Sequence, residues 1–112
     1  MSATLYSGTQ SKVPHVPGSA VTAGDIIPIG NNVYIASVDI AAGENGNVNV
    51  GSGTAIYDVT VPSALVIAEG DALYFDGTDV TKTNTDDGLG HAVAAAGNGV
   101  TQCLVVHENI KA

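Results

Sequence analysis

Turn-forming residues break this chain into short pieces roughly every eight to twelve positions, and that punctuation limits the fold more than any other feature. Fourteen glycines and four prolines are spread through 112 residues. No amphipathic stripe of helical period lasts beyond two turns. The segments between the turns read as strands. Asp25–Ile29 is a brief apolar strand with Pro28 placing it near an edge. Val33–Ile40, Asn47–Val50, Thr54–Val61, Ala72–Phe75, Val80–Thr83, Leu89–Ala95 and Val100–His107 follow, separated by turns such as Asn45-Gly46, Asp76-Gly77 and Gly97-Asn98-Gly99. Ser63–Ala68 fits either one helical turn capped by Ser63 or extended chain. This spacing predicts an all-β fold, a small β-sandwich or barrel.

Alternation assigns faces. Tyr34, Ala36, Val38 and Ile40 form a wholly apolar row and are expected inside, together with Leu73, Phe75, Leu104 and Val106. The sequence also echoes itself. Thr22-Ala23-Gly24-Asp25-Ile26-Ile27 is matched by Ala68-Glu69-Gly70-Asp71-Ala72-Leu73, with a Gly-Asp opening a strand each time. Turns recruit the same residues everywhere, so the echo has a second, trivial explanation.

Residues 1–20 read as an extended N-terminal arm and 21–112 as a single β-domain. Pro14 and Pro17 bar a helix in the arm and bias Val13 and Val16 toward extended backbone. Such an arm either frays or orders against a partner. In the second case Leu5, Tyr6, Val13, His15 and Val16 are its candidate contacts, and the arm is expected to pack on a neighbouring chain.

Charge narrows the partners. Eleven acidic residues face three lysines and no arginine, for a net charge of −8. Nucleic-acid binding needs clustered basic side chains, which are absent here. An anionic membrane surface is disfavoured for the same reason, and no apolar run approaches the roughly twenty residues that span a bilayer. No signal peptide is expected at the start. The lone Cys103 leaves no internal disulfide to form.

The search for chemistry ends without a constellation. Gly51-Ser52-Gly53 lacks the lysine of a phosphate loop. Cys103 and His107 share a strand face but stand about 13 Å apart along it, too far for a nucleophile and its base. His15, His91 and His107 have no metal-ligand spacing. Asp76-Gly77-Thr78-Asp79 and Asp86-Asp87-Gly88 are the best calcium candidates, yet neither fits an EF-hand loop. No cofactor and no enzymatic activity are expected. Low charge density, many small residues and a polar arm suit packing against protein.

From Val21 to Val106 the chain resembles the phage capsid cement family, once a domain of unknown function and sometimes labelled a predicted RecA/RadA recombinase. The resemblance is carried by Ala23-Gly24-Asp25, Val33-Tyr34-Ile35-Ala36, Asp39–Gly43, Val61-Pro62, Glu69–Asp76 and Gly88–Ala96. The recombinase label finds no support, since no phosphate loop is present. The second half is also faintly similar to the trimeric decoration proteins of lambda-like phages, through Phe75–Thr78 and Gly88–Ala96. The resemblance implies a β-tulip- or jelly-roll-like domain made in the host cytoplasm and added to the outside of the phage head. Its partners would be the major capsid protein and itself, a homotrimer favoured over a dimer. The other readings are a tail or fibre β-module, and a small barrel that binds a ligand or acts as an enzyme.

Overall fold

The structure, a computed structural model, describes residues 2–111. Ten strands fill it, with no helix: β1 Ala3–Gly8, β2 Ser11–His15, β3 Ile26–Ile29, β4 Asn32–Ala36, β5 Gly46–Val50, β6 Ser52–Thr60, β7 Ala72–Phe75, β8 Val80–Thr81, β9 Asp87–Ala92 and β10 Gln102–Glu108. The all-β expectation is met by a curled open sheet that forms a half-barrel. Its main path runs β1-β6-β10-β9-β4-β5-β2, with β3 on β4, β7 on β9, and β8 on β7. Ser63 and Ala64 form a turn, and the chain beyond them is extended up to the bridge between Ile67 and Ala96.

The sequence echo has a structural counterpart. Strands β3, β4, β5 and β2 pair in that order, as do β7, β9, β10 and β6. The two units open on the same turn. Gly24 and Gly70 both take a left-handed backbone, with φ of 91° and 90°, which a residue bearing a Cβ rarely adopts. The carboxylates behind them cap the turns identically. Asp25 Oδ2 accepts from the Thr22 amide, and Asp71 Oδ2 from the Ala68 amide, each at 2.8 Å. The glycine amides donate to Ala36 and Ala92 carbonyls, and those alanines donate back to Asp25 and Asp71 carbonyls. Upstream, Val21 bridges Ile40 as Ile67 bridges Ala96. The second unit differs by carrying β8 between its hairpin strands.

The units meet where β4 touches β9 in parallel, at Asn32 and Gly88. The Asn32 carboxamide also closes on the tail, donating to Lys111 O at 2.8 Å and accepting from Lys111 N at 3.2 Å. β1 supplies a second tie. Its Ala3 amide donates to Gly24 O of the first unit, while the strand pairs along β6 of the second. Within residues 2–20 the chain forms extended strands, as expected, but its two strands lie in the chain's own sheet. β1 pairs β6 and β2 pairs β5, which corrects the expectation that this segment packs only on a neighbour.

The facing assigned to two strands is also corrected. Val33 and Ile35 point into the main core, while Tyr34 is half-buried and Val38 is 50% exposed. β4 ends at Ala36, and the chain bends at Ser37 and Val38, so a single alternation does not run to Ile40. Ala36, Ile40 and Val48 are buried but lie outside the main cluster. Burial on both sides of the sheet erased the alternation that sequence reading relies on. In β10 the buried row is Cys103, Val105 and His107, not Leu104 and Val106. The unbroken apolar run there gave alternation nothing to choose between. Leu73 and Phe75 are buried as expected.

Gly90 shows why β9 and β10 can pair closely. A Cβ there would sit 1.9 Å from the Val106 carbonyl oxygen. The core itself is small, and each large side chain in it counts. Phe75→Ala is expected to lower unfolding free energy by about 3–5 kcal/mol, read by chemical denaturation. An unchanged midpoint would show that Phe75 does not pack as described.

Candidate functional site

The five candidate contact residues do not fall in one place. Leu5 and Tyr6 lie on β1, Val13 and His15 on β2, and Val16 just beyond it. The pairing of β1 with β6 shifts register between Leu5 and Ser7, so Tyr6 is the extra, bulged residue, and it is 64% exposed. Val13 stands opposite Val48, and His15 sits edge-on to Tyr34 with ring centroids 6.0 Å apart. Both are half-buried, whereas Leu5, Tyr6 and Val16 are exposed.

β1 and β2 are the two ends of the sheet, yet only Thr9 and Gln10 separate them in sequence. The curl of the sheet therefore brings its own two edges together without pairing them. Between them is a cleft of about 350 Å³, lined by residues of β1, the link, β2, the Gly24 turn and β5. Gln10 of the link, and Ala3 and Gly24, which share a backbone hydrogen bond, are among its lining residues. Asn49, 1% exposed, lines it. Gln10 Nε2 donates to the Tyr57 hydroxyl at 2.9 Å, and burial pushes that phenol's pKa up. The Asn49 carboxamide lies against the same hydroxyl and, after Gln10, offsets part of that rise, with both its polar atoms sealed from solvent. Sequence reading missed Asn49. In Asn47–Val50 it has the look of the polar half of an edge strand, and only long-range pairing makes β5 central.

The remaining polar groups have structural employment. Asp76 Oδ1 accepts from the Thr78 and Asp79 amides, which hold its carboxyl below the usual range, the Asp79 amide most. Asp86 Oδ2 accepts from the Thr81 hydroxyl at 2.6 Å. Among the described residues, no three His, Cys, Asp or Glu side chains gather as a metal site. The Cys103 thiol is buried, and burial raises its pKa, the opposite of an activated nucleophile. His91 pairs with Glu108 on the surface. His107 is buried against Tyr57, with ring centroids 5.7 Å apart and near-perpendicular planes. Its Nε2 lies 3.0 Å from Val33 O. A carbonyl only accepts, so Nε2 carries the proton, and Nδ1 has no hydrogen-bond partner among the described residues.

A family model described as phage cement protein matches residues 7–107. The chain belongs to that family. No match was found among curated proteins or among solved structures. The family assigns a structural role in the virion, at the capsid. In this cement protein the matched span begins inside β1 and ends on His107, so both like-built units fall within it.

His107 gives the domain an acid limit. Desolvation depresses its pKa below 6.5, against a smaller upward pull from the Val33 bond. Below pH 6.5 the unfolded chain takes up a proton that the folded one resists, so stability falls as pH drops from there toward the folded value. His107→Gln should flatten the fall of the melting temperature as pH drops below 6.5. A wild-type melting temperature that rises on acidification across this window would contradict the assignment.

Proposed function

We propose that this protein attaches to the outer surface of the expanded phage head and stabilises contacts between neighbouring major capsid subunits. The observation that carries this reading is the cement-family match across residues 7–107. The physical chemistry of the chain supports a protein partner. No arginine and three lysines against eleven acidic residues provide no basic footprint for nucleic acid or an anionic lipid surface. No helix among the described residues is long and apolar enough to cross a membrane.

Contact falls to the exposed side chains Leu5 and Tyr6 of β1 and Val16 just beyond β2, with the half-buried Val13 and His15 of β2. Each such contact binds weakly. A homotrimer, favoured over a dimer, multiplies it through effective concentration, and closed cyclic symmetry is the usual form of small oligomers. The net charge of −8 keeps the unattached protein soluble.

Mixing the purified protein with empty expanded heads and pelleting them tests the reading. Saturable co-sedimentation with expanded heads is expected, and its absence would refute attachment. Tyr6→Ala should leave the melting temperature unchanged, because the ring is mostly in solvent, yet weaken attachment about tenfold. Light scattering should report a trimer; a strict monomer both in solution and on the head would eliminate that part of the proposal.

A further inference from the structure

We propose that the turn lobe of the second unit, residues 63–67 with 95–101, is the surface on which copies of this chain meet, and that it sits at the threefold axis of the trimer. This rests on the homotrimer reading above and adds the face that makes it.

Each unit carries a lobe of the same build. Val21 bridges Ile40 in the first, and Ile67 bridges Ala96 in the second. The Gly43 amide donates to Pro17 O, as the Gly99 amide donates to Ser63 O. Both glycines take a left-handed backbone. The residue after each, Glu44 or Val100, donates its amide back to Ala41 O or Gly97 O at 3.1 Å. With the backbones alike, side chains correspond position by position.

Two exposed positions differ in charge. Asp39 precedes Ile40, and its counterpart before Ala96 is Ala95. Glu44 follows Gly43, and its counterpart after Gly99 is Val100. The stretches 59–68 and 92–107 contain no Asp, Glu, Lys or Arg, and Glu69 ends the first of them. In place of charge the second lobe exposes Val66 at 58% and Val100 at 44%. Lys82 donates to Val66 O at 3.2 Å, and its charge is paired with Asp71 at 3.0 Å.

Electrostatics names the occupant. Copies of a chain with net charge −8 repel one another. At a threefold axis a side chain faces two copies of itself, so a carboxylate there opposes two others at short range. Asp39 and Glu44 bar the first lobe from that place, and the second lobe is free of the penalty. Residues 4–9 are also exposed and uncharged, but they hold the capsid contacts Leu5 and Tyr6, which leaves the two partners on different residues.

Light scattering on the full-length protein at pH 7 is the test. Ala95→Asp with Val100→Glu gives the second lobe the carboxylates that the first already bears on the same backbone. This variant should keep its strand spectrum and a cooperative melt, yet associate about a hundredfold more weakly than the wild-type trimer. Ala41→Asp with Ala42→Glu adds equal charge to the exposed first lobe and should leave the trimer intact. If the double variant fails to fold, Val100→Glu alone carries the same expectation. A second-lobe variant that stays trimeric overturns the assignment and leaves the trimer standing, as does one that stays trimeric but no longer attaches to expanded heads. Equal dissociation by the first-lobe variant overturns it too, as a net-charge effect. A wild-type protein that is monomeric in solution and on the head overturns the face and the trimer together.

Discussion

Two aspartate-capped glycine turns set the frame on which the rest of the sheet depends. At Gly24-Asp25 and Gly70-Asp71 the backbone takes a left-handed step, the carboxylate accepts an amide three residues back, and the glycine amide reaches across to an alanine of the partner strand. Each turn thereby fixes where β3 or β7 begins and what it faces. A side chain at either glycine would meet the cost of an αL backbone for a residue with a Cβ. Asp71 is further drawn toward its charged form, first by the Ala68 amide and then by Lys82. With both starts fixed alike, the two four-stranded units follow, and their junction at Asn32 and Gly88 fuses them into one curled sheet.

The same construction creates the molecule's open seam. A sheet with two ends must protect them or present them. Here the ends are joined by a two-residue link, so β1 and β2 face each other across a cleft. Asn49 lies sealed beneath it, against the Tyr57 hydroxyl. His107 is likewise sealed from solvent, and its desolvation makes the fold sensitive to acid.

Much of the architecture was legible in the sequence because turn chemistry is local. Asp76-Gly77, Asn45-Gly46 and the paired Gly-Asp motifs located the strand starts, and β7 runs from Ala72 to Phe75 as expected. Facing was less legible where burial is two-sided. Alternation ranks Tyr34 and Val38 above Val33 and Ile35 because the latter row continues through Ser37 and Asp39, but β4 ends at Ala36 and those two polar residues lie beyond it. The run from Cys103 to Val106 hid its period because every residue in it is apolar, and only the polar His107, unexpectedly inside, marks the buried row. Residues 1–20 were extended in the sequence reading, but their place in the sheet depends on pairing with β6 and β5, far along the chain. Asn49 was invisible for the same reason. Its burial is a property of neighbours that no short window contains.

On the proposed reading, each copy contributes little and the contributions repeat over a shell, with closed oligomers and multiple contacts raising them through avidity. Attachment would in turn stabilise a small, marginally stable domain. On that reading the attached protein strengthens the head. The most direct measurement is the temperature at which DNA-filled heads release their DNA, compared between heads lacking this protein and the same heads after it is added back. The account predicts a higher release temperature for the decorated heads, rising with occupancy to a plateau. Saturated decoration with no change in release temperature would contradict it.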